Sequence, residues 1–165
     1  MATDYATIDP ELRLRGRFVS LLLSRSSERS YRRSVRFIQR LLRLRTGRPV
    51  PGAETRDVLI PRRDGGSLRL RVVRPVAGTA ATDESTERGQ LAPGIVWIHG
   101  GGYAIGVPEA DTRVHRLLAV ELGCVVVAPD YRVSQEAPYP AALDDCWDAL
   151  VWMRDHAAEL GVRDD

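Results

Sequence analysis

The sequence predicts an α/β fold in which a strand–helix–strand–helix segment contributes parallel strands to the sheet. Two short, continuously apolar runs, residues 95–98 and 124–128, are typical of strands buried inside a sheet. Each run is followed by a segment with helical spacing, residues 111–122 and residues 140–160. We expect one buried face on the first segment, formed by Val114, Leu117, Leu118 and Glu121, and one apolar stripe on the second, formed by Leu143, Cys146, Trp147, Leu150 and Met153. Because such an alternation implies right-handed crossover connections, we expect the two runs to lie parallel in one sheet.

The region before this pattern predicts amphipathic helices. Apolar residues recur at helical spacing within residues 10–46, on one stripe formed by Tyr31, Val35, Ile38, Leu41 and Leu42. Residues 1–48 carry twelve arginines against four acidic residues. A basic segment of this kind indicates a solvated helix face, which we favour, or contact with an acidic membrane surface through residues 10–46. We expect no nucleic-acid partner.

A β-hairpin is predicted between these helices and the α/β segment. Residues 58–60 form its first strand, and residues 68–73 form the second, in which apolar residues alternate with arginine. Asp64, Gly65 and Gly66 supply the turn, because these residue types tolerate positive φ angles. The small polar residues 77–92 predict a solvent-exposed loop.

Composition excludes several classes of site. All 24 basic residues are arginine, so no lysine is present for P-loop or Schiff-base chemistry. Cys124 and Cys146 lie in apolar runs without a metal-ligand spacing and are expected to be reduced thiols. No secretory signal or membrane-spanning run is recognisable, which favours a cytoplasmic location. We expect neither a cofactor nor a metal.

Three consecutive glycines follow the first apolar run, at Gly100, Gly101 and Gly102, directly after His99. Their spacing does not fit the dinucleotide-binding pattern. A flexible or tightly packed loop is one interpretation. The other is an oxyanion hole, in which adjacent backbone N–H groups face the negative oxygen of a tetrahedral intermediate, and glycine permits both the backbone angles and the close approach.

Two stretches resemble one family. "HGGGY" at residues 99–103 and "APDYRVSQEAPYPAALDDCWDALVWMRDHAAELGV" at residues 128–162 resemble the hormone-sensitive-lipase-like carboxylesterases of the α/β-hydrolase fold. Within the second stretch, Val133, Ser134 and Gln135 depart from the Leu, Ala and Pro usual in that family. The resemblance divides the chain into N-terminal cap-like helices over residues 1–50 and the N-terminal half of an α/β-hydrolase core over residues 51–165.

The resemblance implies roles for residues around the glycines. Gly101 and Gly102 would donate the oxyanion hydrogen bonds, Gly100 would shape the turn, and Tyr103 would line the substrate pocket. His99 would be structural, anchoring the loop through its side chain. Four further residues would form a supporting network beneath the site: Asp130, Tyr131, Arg132 and Glu136. A plain surface ion pair between Asp130 and Arg132 is the alternative interpretation of those two residues.

The nucleophile that this family requires is missing from these 165 residues. No Gly-x-Ser-x-Gly segment occurs, and the resemblance would place the serine, acid and histidine beyond residue 165. His115 and His156 are interpreted as surface residues, and Asp144 and Asp145 as first-turn helix carboxylates without a chemical role.

We therefore expect an esterase-type ester hydrolase represented by its oxyanion-hole half. It would act on small carboxylic esters when complete and be inactive as it stands, whether by truncation, frameshift or evolutionary loss. The alternative is a non-catalytic binding or scaffold protein. An exposed apolar sheet edge predicts instability or self-association.

Overall fold

The computed structural model describes residues 9–14, 16, 27–76 and 91–163. The chain divides into two compact units, Met1–Leu41 and Leu42–Asp165. Most of the predicted loop, residues 77–90, lies outside the described residues, as do residues 17–26 of the predicted helical region. The domain boundary expected at residue 50 stays a prediction.

A long amphipathic helix confirms the helical prediction for the basic region. Helix α1 (Glu28–Arg43) spans 16 residues, and residues 10–14 are also helical. Glu28, in the first turn of α1, forms an ion pair of 2.6 Å with Arg32 one turn later. In the described residues, none of the helices has the length and apolar character needed to cross a lipid bilayer.

The predicted hairpin is present and longer than expected. Strands β1 (Ala53–Pro61) and β2 (Ser67–Pro75) pair antiparallel along their full lengths. Gly65 and Gly66 in the turn have φ angles of +92° and +77°. These are left-handed backbone conformations, which glycine adopts without strain.

The two apolar runs form neighbouring parallel strands, as predicted. Strands β3 (Gly94–Val96) and β4 (Val125–Pro129) pair in parallel, and the sheet order is β1-β2-β4-β3. All five residues of β4 are buried, because β4 lies between β2 and β3. The expectation that residues 95–98 form a buried strand is wrong in part: β3 ends at Val96, lies at the edge of the described sheet and is partly exposed.

The first crossover is a composite helix, and its predicted buried face is wrong. It comprises a 3-10 turn (Pro108–Asp111), helix α2 (Thr112–Arg116) and a π turn (Leu117–Glu121). The pattern predicted burial of Val114, Leu117, Leu118 and Glu121, whereas His115 and Ala119 are the buried residues of α2 and the π turn. Because the number of residues per turn changes along this segment, a fixed α-helical spacing assigns the wrong face.

The segment after β4 contains helices α3 (Ala141–Asp155) and α4 (Ala157–Leu160). The helical prediction is confirmed, but much of the expected apolar stripe faces away from the core. Met153 is buried as expected, whereas Leu143, Trp147 and Leu150 are exposed. The other buried residues of α3 are the small or paired side chains Ala141, Asp145 and Ala149.

The sheet is covered differently on its two faces. Helices α3 and α4 cover one face and close an apolar cluster with the sheet, formed by Ile60, Leu68, Leu70, Val72, Val125, Val127, Ala149, Met153, Ala157, Leu160 and Val162. The other face holds a smaller buried apolar cluster, formed by Val50, Val73, Ala119 and Val126. Both clusters lie within residues 42–165.

Candidate functional site

The glycine turn follows β3 at the carboxyl end of the parallel strands. Gly101, Gly102 and Tyr103 have φ angles of +129°, +60° and +57°. A Cβ atom on Gly101 would overlap the carbonyl oxygen of Ile105, so the turn requires glycine at that position. The carbonyl oxygen of Gly101 accepts hydrogen bonds from the N–H groups of Ala104 (3.1 Å) and Ile105 (3.2 Å).

Two backbone donors of this turn have no acceptor among the residues that the structure describes. Among the described residues, no acceptor is hydrogen-bonded to the N–H groups of Gly101 or Gly102. Next to them is a cavity of about 250 Å³, lined by Ile98, His99, Gly100, Gly102, Tyr103 and Tyr131. Gly102 therefore borders the cavity directly, whereas Gly101 shapes the turn beside it.

His99 lies beneath the turn and is almost fully buried. Its ring stacks on that of Tyr131 with centroids 4.1 Å apart, and the Tyr131 hydroxyl donates a 2.8 Å hydrogen bond to the His99 carbonyl. The Nδ1 atom of His99 is 3.0 Å from the carbonyl oxygen of Gly100. Burial lowers the pKa of His99 and raises the pKa of Tyr131 to about 12, so both groups are neutral near pH 7.

Ser134 and Gln135, which depart from the family pattern, form hydrogen bonds with the glycine turn. The Ser134 N–H donates a 2.7 Å hydrogen bond to the Tyr103 carbonyl, and the Gln135 side-chain amide donates a 3.1 Å bond to the Ala104 carbonyl. Sequence reasoning missed this contact. The departure of Gln135 from the proline of the family was the signal available, because proline has no side-chain donor.

Asp130 and Glu136 share a basic partner. Arg43 forms ion pairs with Asp130 and with Glu136, the latter at 3.1 Å, and Arg69 approaches Asp130 at 3.1 Å. Glu136 also accepts a 3.2 Å hydrogen bond from the N–H of Val133. These carboxylates therefore tie the loop after β4 to Arg43 and to β2.

Arg132 pairs elsewhere, which excludes the simple ion pair with Asp130. Its Nε and Nη2 atoms donate to the two carboxylate oxygens of Asp145 at 2.9 and 2.7 Å, and its backbone N–H donates to the same carboxylate at 2.9 Å. Asp145 is fully buried. The expectation that Asp145 is only a first-turn helix carboxylate is therefore wrong, because it holds the loop after β4 against α3.

A second charged cluster lies on β2 and was not predicted. Arg71 is fully buried, and its Nη1 atom is 3.2 Å from Oε1 of Glu109. Arg69 holds the same carboxylate through two hydrogen bonds of 2.7 and 3.0 Å, and the Gly47 N–H donates a third at 2.9 Å. Burial alone would raise the pKa of Glu109, but these hydrogen bonds outweigh it and lower that pKa.

The interpretation of His115 as a surface residue is wrong. It is fully buried, and its ring meets that of Trp97 edge to face with centroids 6.4 Å apart. Burial, and next the nearby charge of Arg71, lower its pKa to about 4. The sequence did not indicate that His115 is buried, because the number of residues per turn changes along its composite helix and a fixed helical spacing assigns the wrong face. His156 is half-buried, and its ring stacks on that of Trp152 with the centroids 4.6 Å apart.

An apolar groove of about 380 Å³ adjoins the glycine cavity and shares Ile98 and Tyr103 with it. The groove is lined by Ile98, Tyr103, Ser134, Ala137, Tyr139, Ala142, Leu143 and Cys146. Burial raises the pKa of Cys146 to about 11, which keeps its thiol protonated and unreactive. Within the described residues, His, Cys, Asp and Glu side chains form no group able to hold a metal ion.

The sequence segments around this turn are similar to those of known esterases with the α/β-hydrolase fold. Residues 95–165 match the family model of the α/β hydrolase fold. The chain is 34% identical over 115 residues to an arylesterase of Saccharolobus solfataricus, an alignment that covers 70% of this chain and 34% of the relative. It is 46% identical over 69 residues to carboxylesterase NlhH of Mycobacterium tuberculosis, which covers 42% of this chain and 22% of the relative.

A solved structure extends the similarity to most of the chain. The hyperthermophilic esterase of the archaeon Pyrobaculum calidifontis aligns with a TM-score of 0.64 and 30% identity, over 93% of this chain and 46% of that one. The chain thus spans about a third or less of the curated relatives' length and just under half of this solved structure.

Proposed function

Because the chain carries part of an α/β-hydrolase fold of the carboxylesterase family, we propose that it supplies the oxyanion-binding half of a carboxylic ester hydrolase. The observation that carries this proposal is the glycine turn. Gly101 and Gly102 adopt left-handed backbone angles, their N–H groups bond to none of the described residues, and a cavity opens beside them.

The proposed role of the turn is electrostatic. When a serine oxygen attacks an ester carbonyl, the carbonyl oxygen gains a negative charge, and a backbone N–H directed at it stabilises the transition state by about 3–4 kcal/mol per donor. The alcohol then leaves, and water hydrolyses the acyl-enzyme through a second intermediate of the same charge. His99 and Tyr131, both uncharged, hold the turn without competing for the oxyanion.

The nucleophile, its base and the acid belong to polypeptide other than these 165 residues. The serines present lack the Gly-x-Ser-x-Gly surroundings of this family, and we propose that the chain alone does not turn over esters. The groove beside Tyr103 favours substrates with a small apolar acyl or alcohol group. A cytoplasmic location also stays a prediction.

A p-nitrophenyl ester assay tests this function. We expect the chain alone to show no hydrolysis above background. When the chain is co-expressed with the part of the Pyrobaculum calidifontis esterase that extends beyond the aligned region, we expect saturable hydrolysis. In that assembly Gly102→Ala should lower kcat by about 10²-fold or more, because a side chain at a φ of +60° shifts the N–H donor.

Gly65→Ala is the matched control. Gly65 also has a positive φ and open space where a Cβ would lie, but it is in the hairpin turn away from the cavity. Its substitution should cost stability and leave kcat unchanged. Saturable hydrolysis by the chain alone would contradict the proposal, and so would an equal loss of kcat in both glycine variants. An assembly that binds esters without hydrolysing them would favour the non-catalytic alternative.

A further inference from the structure

We propose that Gln135 is a positioning residue for the glycine turn, because its side-chain amide begins a relay of hydrogen bonds that orients and polarises the Gly102 N–H. The relay runs from the Nε2 atom of Gln135 through the peptide unit of Ala104 and Ile105 to the peptide unit of Gly101 and Gly102. The inference deepens the proposed function and rests on it, because the Gly102 N–H has a chemical task only where an oxyanion forms.

The last step of the relay lies within the glycine turn. The carbonyl of Gly101 and the N–H of Gly102 belong to the same planar peptide unit, so a bond that fixes the carbonyl also fixes the direction of the N–H. The Gly101 carbonyl accepts hydrogen bonds from the N–H groups of Ala104 at 3.1 Å and Ile105 at 3.2 Å, and Gly102 borders the cavity. These two N–H groups therefore determine the direction in which the Gly102 N–H points.

The first step of the relay joins the turn to the loop after β4. The Gln135 side-chain amide donates a 3.1 Å hydrogen bond to the Ala104 carbonyl, and this carbonyl shares a planar peptide unit with the Ile105 N–H. Each hydrogen bond in a chain of this kind polarises the next one. Gln135 thus holds the middle peptide unit in place and increases the partial positive charge on the Gly102 N–H.

The backbone of the turn needs support from outside. Tyr103 has a φ angle of +57°, which is uncommon for a residue other than glycine and persists where neighbouring contacts determine it. The loop after β4 supplies two such contacts, from the Ser134 N–H to the Tyr103 carbonyl at 2.7 Å and from the Gln135 side chain to the Ala104 carbonyl. The first contact uses a backbone N–H, which any residue except proline would supply, whereas the second depends on the side chain of Gln135.

The side chain of Gln135 contributes little net stability. Its Oε1 atom is buried and has no hydrogen-bond partner among the described residues. A buried acceptor left unsatisfied offsets what the Nε2 hydrogen bond contributes, and an apolar side chain of the same length would avoid that penalty. A polar group that is unfavourable by itself is typical of a position that serves a site rather than the core.

Hydrogen exchange and NMR spectroscopy of the full chain test the relay. Gln135→Met keeps the length of the side chain and removes its amide. We expect the Ile105 amide to exchange about tenfold faster and the Gly102 amide proton resonance to move upfield, because its N–H is less polarised. The midpoint temperature of unfolding should stay within about 2 °C of that of the parent chain, because the unsatisfied Oε1 atom is removed together with the hydrogen bond.

Ser134→Ala is the matched control, because Ser134 bonds to the Tyr103 carbonyl through its backbone N–H, which the substitution keeps. The exchange of Ile105 and the resonance of Gly102 should be the same in this variant as in the parent chain. In the co-expressed assembly of the p-nitrophenyl ester assay, Gln135→Met should lower kcat about tenfold and change KM by less than about twofold, because the oxyanion forms only in the transition state.

Unchanged Ile105 exchange and Gly102 resonance in Gln135→Met would overturn the inference. Equal changes in Ser134→Ala would also overturn it, as would a rise in KM with kcat unchanged. A general loss of stability, in which the Trp97 amide outside the turn exchanges faster by the same factor, would show a merely structural role. An assembly without ester hydrolysis contradicts the proposed function, whereas the exchange of Ile105 in the chain alone still decides the role of Gln135.

Discussion

The two faces of the sheet are held together by different kinds of interaction. The face beneath α3 and α4 is closed by apolar side chains such as Leu70, Val127 and Met153. The opposite face buries charged or ionisable groups next to a small apolar cluster, with Arg71, Glu109 and His115 each at most 4% exposed. One face therefore gains stability from area removed from water, and the other depends on the ion pair between Arg71 and Glu109, because an unpaired charge is costly to bury.

Strand β2 shows how one alternating sequence serves both faces. Leu68, Leu70 and Val72 point into the apolar cluster, and Arg69 and Arg71 point to the other side. Such alternation ordinarily indicates a solvated polar face. Here the polar face is covered, because the 3-10 turn after the glycine segment places Glu109 over both arginines.

Replacing Glu109 should produce the largest loss of stability. Glu109→Leu leaves Arg71 buried without its carboxylate and removes two hydrogen bonds from Arg69. Breaking a buried ion pair by removing one partner costs about 3–5 kcal/mol. Urea unfolding followed by circular dichroism would measure the loss.

The double variant Arg71→Met with Glu109→Leu sharpens this result. It removes both charges, while Arg69 keeps Asp130 and Asp57 as partners. We therefore expect it to be more stable than Glu109→Leu alone, since apolar replacement of a buried pair is often close to neutral. Equal stability of the two variants would show that the charged face does not depend on the pairing of Arg71.

The face of the sheet that buries Arg71, Glu109 and His115 should also make the stability of the chain depend on pH, because His115 is a buried titratable group. The pKa of His115 is about 4 in the folded chain and about 6.5 when unfolded. Between these values the unfolded chain binds the extra proton, so stability falls as the pH decreases from about 6.5 towards 4. The shift corresponds to about 3 kcal/mol over the whole window.

His115→Leu isolates this effect, because it removes the titrating group while the other ionisable groups stay. Asp111, Glu109, His99 and Arg71 influence His115, and the lowered pKa of His99 acts in the same direction. We expect unfolding free energies measured from pH 7.5 to 4.5 to fall less steeply for the variant. Parallel curves for the two proteins would contradict the assigned pKa of His115.

The strands and helices could be predicted from sequence where a periodic pattern and its boundary residues agreed. The hairpin satisfied both conditions through its alternation and its Gly65-Gly66 turn. The faces of the helices could not be predicted as well. In α3 the wide stripe of Leu143, Trp147 and Leu150 dominates the pattern, while the small Ala149 allows the other side to approach the sheet.

The candidate site could be predicted only where its chemistry is local in sequence. The glycine turn depends on consecutive backbone groups, so three glycines after a strand were sufficient to propose it. The supports depend on pairs far apart in the chain, such as Arg132 with Asp145 and Gln135 with Ala104. Composition and spacing carry no information about such pairs, because either partner alone is typical of an exposed surface.

The smallest effects should come from the outer face of α3, which tests whether that face is separate from the apolar cluster beneath the helix. Leu143→Ser and Leu150→Ser remove side chains that are about half exposed, so each should change the unfolding free energy of the chain alone by less than about 0.5 kcal/mol. Met153→Ala, on the inner face of the same helix, should cost about 3 kcal/mol through the cavity it leaves. A loss of that size at Leu150 as well would mean that the outer face already has a partner in the chain alone, and the two sides of α3 would then form a single core.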